Sequence, residues 1–149
     1  MHKGLDVCYI HHDMKPLNVL LEEPYKDNGD NRIKICDFGG TRTGRTLHAA
    51  FTPQYAAPEI MFANPYDFRV DIYAFGVTLW EIFTRKIPFA GVDKTEIPTK
   101  IQFGERPDLG LLEDITPKKI KELIEKCWKG RKEERPSDDE IINALKALL

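Results

Sequence analysis

The stretch Ile10-His11-His12-Asp13-Met14-Lys15-Pro16-Leu17-Asn18-Val19-Leu20-Leu21 is the most informative part of the chain. Short apolar runs flank a polar loop that contains an acid, a lysine two residues later and an asparagine five residues later. A second acid, Asp37, follows the strand-like run Ile33-Lys34-Ile35-Cys36 and opens Asp37-Phe38-Gly39. Carboxylates and an amide on loops between strands supply oxygen ligands for magnesium and a base near a nucleophile. These are the groups that magnesium-assisted phosphoryl transfer needs, although such a polar loop by itself can also be a simple turn.

Composition places the chain among soluble globular proteins. Its 149 residues predict one compact domain with a sizeable core. A net charge of −2 gives no reason to expect nucleic acid or a membrane as a partner. Cys8, Cys36 and Cys127 are odd in number and widely spaced, which is typical of reduced thiols in a cytoplasmic protein. The N-terminus lacks the apolar core of a signal peptide, so none is expected.

The first third of the chain is predicted to form short strands. Residues 7–10, 18–21 and 33–36 are β-prone and bounded by polar residues. Asn28-Gly29-Asp30-Asn31 is a strong turn signal, so the second and third strands should pair as an antiparallel hairpin. No periodicity is sustained over residues 39–51, for which we predict a mobile loop.

The rest of the chain is predicted to be helical. Residues 60–63 allow one turn, and Asp67 is a candidate N-cap for a helix that runs to Phe83. The residues of that helix are apolar nearly all round, but 72–83 is too short to span a bilayer, so the helix should lie in the core. A loop-rich segment with one short helix should follow.

Two C-terminal helices have clear start signals. Thr116-Pro117 predicts an N-cap with proline at the first helical position. The apolar face of that helix comprises Ile120, Leu123, Ile124, Cys127 and Trp128. Ser137 to Glu140 forms a capping box ahead of the last helix, whose apolar face is Ile141, Leu145 and Leu148.

Five motifs recur in a fixed order along the sequence. They are His11-x-Asp13-x-x-x-x-Asn18, Asp37-Phe38-Gly39, Ala57-Pro58-Glu59, Asp71-x-Tyr73-x-Phe75-Gly76 and Arg135-Pro136. In this order the chain resembles the C-terminal lobe of a eukaryotic-type protein kinase domain, over essentially all 149 residues. The resemblance implies a protein kinase-like fold, C-terminal lobe only, mainly α-helical with a small β-hairpin region near the catalytic loop.

The resemblance also implies roles for individual side chains. Asp13 would accept the proton of the substrate hydroxyl, and Lys15 would neutralise charge on the transferred phosphoryl group. Asn18 and Asp37 would hold Mg²⁺, which would bridge the phosphates of ATP. Mg²⁺ and ATP are the two implied cofactors. Structural support would come from His11, Gly39, Thr52, Glu59, Asp71 and Arg135. Of these, Glu59 would pair with Arg135, and Asp71 would accept backbone N–H groups of the catalytic loop.

The kind of kinase is indicated by further positions. Lys15 two residues after Asp13, and Thr52 ahead of Ala57-Pro58-Glu59, are similar to serine/threonine kinases. Cys127-Trp128 upstream of Arg135 is similar to the tyrosine kinase-like group. The implied activity is transfer of the ATP γ-phosphoryl group to a serine or threonine of a protein substrate.

Two positions depart from the family pattern. His12 stands where an arginine usually grips a phosphate on the activation segment, and a largely neutral imidazole cannot form that bidentate contact. We therefore predict that phosphorylation of Thr41, Thr43 or Thr46 does little for activity. Phe51 stands where glycine usually precedes the threonine, and its bulk leaves the shape of the substrate pocket open.

The glycine-rich loop, the lysine strand and the helix glutamate that cover ATP in this family do not occur in the sequence. We therefore expect residues 1–149 to be a kinase C-terminal lobe, with the N-terminal ATP-binding lobe absent or supplied separately as a partner. Phosphates would be poorly positioned without that lobe, so activity of this chain alone is not expected.

Other interpretations remain at this stage. The chain could be a non-catalytic, pseudokinase-like interaction module, although such a module does not need all of Asp13, Lys15, Asn18 and Asp37. A small-molecule phosphotransferase shares the two-acid pattern but not the segment around Glu59, which builds a protein-substrate platform.

Two local patterns are weaker. Residues 39–46 nearly match a P-loop, but such a loop must open a helix, and few residues remain before Pro53. His11, His12 and Asp13 could suggest a metal site, yet neighbours on an extended segment point to opposite sides, so His11 is predicted to be a packed structural histidine.

Overall fold

A computed structural model describes residues 9–22, 31–43, 51–62, 64–113 and 116–147. Two small antiparallel sheets pair β1 with β4 and β2 with β3. The strands are β1 (Tyr9–Ile10), β2 (Val19–Leu21), β3 (Ile33–Ile35) and β4 (Arg42–Thr43). The α-helices are α1 (Pro58–Met61), α2 (Arg69–Thr84), α3 (Ile97–Gln102), α4 (Lys118–Cys127) and α5 (Asp138–Lys146). The predicted architecture, mainly helical with a small β-hairpin region beside the polar loop, is confirmed.

The strand predictions hold where the structure describes them. Val19 pairs with Ile35 and Leu21 with Ile33, which is the antiparallel register expected for the hairpin. Its predicted turn at 28–31 lies outside the described residues, as do residues 7–8 of the first strand.

The prediction of an irregular loop from residue 39 was wrong at its start. Residues Phe38–Gly40 form a 3-10 turn, and β4 pairs with β1 through Tyr9 opposite Thr43. Pairing with a strand about 33 residues earlier supplies the hydrogen bonds, and no local pattern reveals such a partner. Residues 44–46, where the P-loop-like pattern would open its helix, lie outside the described residues.

Helix α2 lies at the centre of the molecule, as its sequence predicted. It packs against α4, against the 3-10 turn Pro53–Tyr55 and against the 3-10 turn Leu109–Leu112. Tyr73 and Val77 are fully buried, and Trp80 donates its indole N–H to the carbonyl of Asp108 at 2.9 Å. The helix therefore anchors both the polar N-terminal loops and the C-terminal helices.

A glycine permits the close approach of α2 to α4. A Cβ atom on Gly76 would lie 2.6 Å from Cβ of Cys127 and 3.3 Å from the carbonyl oxygen of Ile124. Both neighbours belong to α4, so any side chain here would force the two helices apart. Cys127 is buried in this contact, and burial raises the pKa of its thiol to about 12.

The predicted helix starts were shifted in two of three cases. Helix α2 begins at Arg69 rather than directly after Asp67, although Asp67 Oδ1 still accepts the backbone N–H of Arg69 at 3.0 Å. Helix α4 begins at Lys118 with Pro117 as its N-cap, so Thr116 is not the cap. Both hydrogen bonds of the Ser137–Glu140 capping box of α5 are present: each residue's backbone N–H donates to the other's side chain.

The described part of the chain contains no helix that is both long and apolar enough to cross a bilayer.

Candidate active site

The polar loop 11–18 is fixed to the central helix by one carboxylate. Asp71, in the first turn of α2, accepts the backbone N–H of His11 on Oδ2 at 2.8 Å and that of His12 on Oδ1 at 3.0 Å. All three residues are buried. A buried carboxylate that accepts two backbone donors holds their segment in one conformation.

His11 is a packed structural histidine rather than a metal ligand. Its Nε2 lies 2.9 Å from the carbonyl oxygen of Cys36, and its Nδ1 accepts the backbone N–H of Asp13 at 3.3 Å. This set fits the neutral ring with the proton on Nε2. Both nitrogens are used, and the ring also packs edge-on against Phe38 at 5.1 Å between centroids.

Two residues at the site adopt left-handed backbone conformations. The φ angle is 69° at His12 and 61° at Asp37. Such conformations cost energy outside glycine and persist where the surroundings impose them, commonly at functional sites. The ring of His12 packs edge-on against Tyr66 at 5.7 Å.

The side chain of Asp13 is the centre of a hydrogen-bond cluster. Its Oδ1 accepts the hydroxyl of Thr52 at 2.6 Å, and its Oδ2 accepts Lys15 Nζ at 2.6 Å and Asn18 Nδ2 at 3.2 Å. Lys15 Nζ also donates to Thr52 Oγ1 at 2.9 Å, which closes a ring. We call these four residues, Asp13, Lys15, Asn18 and Thr52, the Asp13 cluster.

The cluster favours the ionised form of the acid. Burial opposes ionisation, but hydrogen bonds from Lys15, Thr52 and Asn18, together with the charge of Lys15, outweigh it and hold the pKa of Asp13 below its ordinary value. The side chains of Asp13 and Lys15 are each 18% exposed, so a substrate can reach them.

Asn18 and Asp37, the two predicted Mg²⁺ ligands, lie on neighbouring segments and carry oxygen donors. Asn18 donates its amide N–H groups to the carbonyl and carboxylate oxygens of Asp13, at 2.8 and 3.2 Å, which leaves Oδ1 as its ligand atom. The backbone N–H of Cys36 donates to the Asn18 carbonyl at 2.9 Å, and the exposed Asp37 follows Cys36 directly in the chain. One amide and one carboxylate suit Mg²⁺, which is usually bound by few protein ligands together with water and phosphate oxygens.

Gly39 follows Asp37 in the 3-10 turn Phe38–Gly40 and is exposed. A Cβ atom at Gly39 would lie 3.4 Å from Asp37 Oδ1, directly beside the candidate ligand. That distance is an ordinary van der Waals contact. In the described ranges, no group of three or more His, Cys, Asp and Glu side chains converges.

The segment around Thr52 is anchored to α2 by residues that sequence reasoning missed. Tyr55 is buried, and its hydroxyl makes a short hydrogen bond to Glu81 Oε2. Burial and this carboxylate raise the pKa of the Tyr55 phenol. The available signal was Glu81 itself, because a carboxylate within an otherwise apolar helix requires a donor.

Glu59 and Arg135 form a bidentate pair across 76 positions of sequence. Arg135 Nη1 donates to Oε1 at 2.6 Å and Nη2 to Oε2 at 2.9 Å. Both residues are buried, and the guanidinium lies 5.1 Å from the ring centroid of Tyr73. The pair joins α1 to the segment before α5.

Comparison with known proteins agrees with this geometry. Residues 5–145 match the family model described as protein tyrosine and serine/threonine kinase. A "Probable LIM domain-containing serine/threonine-protein kinase" of Dictyostelium discoideum is 38% identical over 93% of this chain and 21% of its own length. "Mitogen-activated protein kinase kinase kinase 7" of Drosophila melanogaster is 36% identical over 94% of this chain and 20% of its own length.

The chain thus spans about a fifth of the length of these two relatives. The family model, in contrast, covers nearly all of the 149 residues. The chain belongs to the family of protein tyrosine and serine/threonine kinases, as a eukaryotic-type kinase domain of the C-terminal-lobe type.

Proposed function

We propose that this chain supplies the catalytic loop, metal ligands and substrate platform of a protein kinase that transfers the γ-phosphoryl group of ATP to serine or threonine hydroxyls. The main supporting observation is the Asp13 cluster, in which an ionised, reachable carboxylate lies 2.6 Å from both a lysine and a threonine hydroxyl. The serine/threonine preference is supported by the names of the relatives and by the contact of Lys15 with Thr52. Membership of the tyrosine kinase-like group and a cytoplasmic location are part of the same proposal.

Within this proposal, Asp13 orients the substrate hydroxyl and accepts its proton. The carboxylate is ionised at neutral pH, as any aspartate with an ordinary or lowered pKa is, so it can accept a hydrogen bond from that hydroxyl. Lys15 lies close enough to Asp13 to stabilise negative charge that develops beside it. Thr52 ties both groups to the substrate-side segment.

Asn18 and Asp37 are the residues that would hold Mg²⁺ with the phosphates of ATP. Their oxygen donors fit this hard cation, and bound Mg²⁺ would offset the phosphate charge. Asp71, His11, Glu59 and Arg135 touch none of the reacting groups in this scheme. They keep the catalytic loop and the Pro53–Met61 segment in place.

We further propose that activity requires an N-terminal lobe, within the same polypeptide or from a partner. The sequence contains no Gly-x-Gly-x-x-Gly loop. Large apolar side chains are exposed on the elements that flank the catalytic loop, and a second lobe would cover them: Tyr9, Leu17, Leu20, Leu21, Ile33 and Phe38.

The function is tested by peptide phosphorylation with the whole natural polypeptide that contains this chain. Transfer of labelled phosphate from Mg-ATP to serine or threonine peptides, but not to sugars or aminoglycosides, is expected. A thermal shift with Mg-ATP serves as the binding control. A folded whole protein that neither binds Mg-ATP nor phosphorylates peptides would instead be an interaction module.

The size of the native protein tests the requirement for a second lobe. With an antibody against the C-terminal ten residues, a band well above the mass of 149 residues would place the second lobe in the same polypeptide, and a band at that mass would require a partner. A single band at the size of this chain, with activity in the purified 149-residue protein, would contradict the requirement.

A further inference from the structure

Phe51 directly precedes Thr52, and the two side chains serve different parts of the molecule. Thr52 has extended backbone angles, φ −96° and ψ 114°, and its hydroxyl is bonded to Asp13 and Lys15. Successive side chains of an extended segment point to opposite sides. Phe51 accordingly packs against the buried core cluster and is only half-buried there.

The conformation of Thr52 is also constrained from its C-terminal side. Pro53 disfavours helical angles in the residue before it, which is consistent with the extended backbone observed. The backbone N–H of Tyr55 donates to the Thr52 carbonyl at 3.0 Å, and buried Tyr55 is bonded to Glu81 on α2. Thr52 thus lies between two aromatic side chains that pack into the core, one residue before it and three residues after it.

We propose that Phe51 is a positioning residue for the catalytic acid: its packing on the core holds the Thr52 hydroxyl against Asp13 and Lys15. This inference rests on the proposed function. A hydroxyl 2.6 Å from one oxygen of the acid leaves little tolerance for movement of the segment. In this chain an alanine at position 51 would remove the apolar contact, so the segment would lose its N-terminal anchor while Tyr55 still held the C-terminal side.

The test is a double-mutant cycle on the whole natural polypeptide, with Phe51→Ala, Phe51→Leu and Thr52→Val. F51A should lower kcat about tenfold, as expected for loss of one positioned hydrogen bond, with KM for ATP within about twofold of wild type. F51L, which keeps an apolar contact, should restore kcat to within about threefold. In the T52V background, F51A should have no further effect, because the hydroxyl through which Phe51 acts is already gone. Phe103→Ala, at an exposed phenylalanine outside the site, is the matched control and should leave kcat unchanged.

Independent effects of F51A and T52V, multiplying in the double variant, would overturn the proposal. So would an F51L variant as impaired as F51A. If F51A does not fold, Phe51→Val takes its place in the same cycle, with the same expected non-additivity.

Amide hydrogen exchange separates this proposal from the proposed function, because it requires no turnover. F51A should accelerate exchange at Tyr55 and Ala56, whose N–H groups bond to Thr52 and Pro53, while the amides of α4 stay unchanged and F51L behaves as wild type. Exchange that is unaltered in F51A would show that Phe51 does not anchor the segment. A wild-type protein without kinase activity would overturn the proposed function, and exchange would still decide whether Phe51 orders this turn.

Discussion

The Glu59–Arg135 pair and the Asp13 cluster both join opposite charges, yet they differ in how many of their hydrogen-bonding groups the protein itself uses. All five N–H groups of Arg135 have acceptors, two on Glu59 and three on backbone carbonyls. Asp13 and Lys15 keep part of their surface open to solvent. A saturated, buried pair can only support structure, whereas an open cluster can still bind a substrate.

The three backbone acceptors of Arg135 are the carbonyls of Arg69, Lys129 and Gly130. They belong to α2 and to the connection between α4 and α5, so one guanidinium holds three parts of the chain together. The comparison therefore predicts that changes at Arg135 affect stability first, and that changes at Asp13 affect activity first.

The largest effect on stability is expected for Arg135→Met. Loss of the guanidinium leaves the Glu59 carboxylate buried and unpaired, which should cost about 3–5 kcal/mol of the free energy of unfolding. Urea denaturation measures this. Arg131→Met, at a side chain that is 77% exposed, is the control and should change stability by less than about 0.5 kcal/mol. A loss of under about 1 kcal/mol in R135M would show that the pair is not a structural support.

The largest effect on activity is expected for Asp13→Asn in the whole natural polypeptide. The amide retains the shape of the side chain but cannot accept the proton, so kcat should fall by about 10²–10⁴-fold. The free energy of unfolding should change by less than about 1 kcal/mol, because the ion pair with Lys15 is partly exposed. Asp93→Asn, at an exposed acid whose carboxylate accepts from Thr95, is the matched control. Equal activity of D13N and D93N would remove Asp13 from the mechanism.

Asp71 belongs to both regions, because it is buried like Glu59 and holds the loop that presents Asp13. In Asp71→Asn, one of the two backbone donors, from His11 or His12, faces an amide N–H instead of an acceptor. We expect a loss of about 1–3 kcal/mol in stability, with a fall in kcat alongside it. Denaturation and kinetics on the same preparation test this. A stability loss with unchanged kcat would mean that the loop keeps its shape without Asp71.

The partly exposed ion pair between Asp67 and Arg69 should make a small contribution to stability that depends on pH. The hydrogen bond from Arg69 lowers the pKa of the Asp67 carboxyl to about 2 despite partial burial. The positive charge of Lys132, whose Nζ lies 3.5 Å from Asp67 Oδ2, also lowers this pKa. A depressed pKa in the folded state adds stability above the unfolded value of about 3.9 and loses it as the pH falls towards 2. The contribution should be under about 1 kcal/mol, since the side chain is 34% exposed. Denaturation of wild type and Asp67→Asn from pH 5 to pH 2 should show the two converging as the acid protonates.

The smallest effect is expected from phosphorylation of Thr41, Thr43 or Thr46. His12 is buried with its ring edge on Tyr66, and its imidazole lacks the planar fork that binds a phosphate bidentately. Phosphorylated and unphosphorylated whole protein should therefore differ in kcat by less than about twofold. Activation of tenfold or more on phosphorylation of any of the three would contradict this. The variant His12→Arg provides the comparison, because it introduces the missing charge.

Sequence alone was sufficient for features that depend on neighbouring residues. The Ser137–Glu140 capping box, the strands flanking residues 22–32 and the burial of α2 follow from local hydrogen bonding and from apolar patterning. The spacing of Asp13, Lys15 and Asn18 is also local, since all three lie within one short loop. The order of the motifs added the family, and with it the expected pairing of Glu59 with Arg135.

Only the tertiary structure decided contacts between residues that are far apart in sequence. Thr52 meets Asp13 across 39 positions, and β4 completes a sheet with β1 where sequence predicted a loop. Tyr55 finds its acceptor on Glu81, in the last turn of α2. The physical reason is the same in each case: a buried polar group must find a partner, but sequence patterns do not show which distant segment supplies it. Folding brought those partners together. It thereby left the Glu59–Arg135 pair saturated with hydrogen bonds and the Asp13 cluster open to solvent.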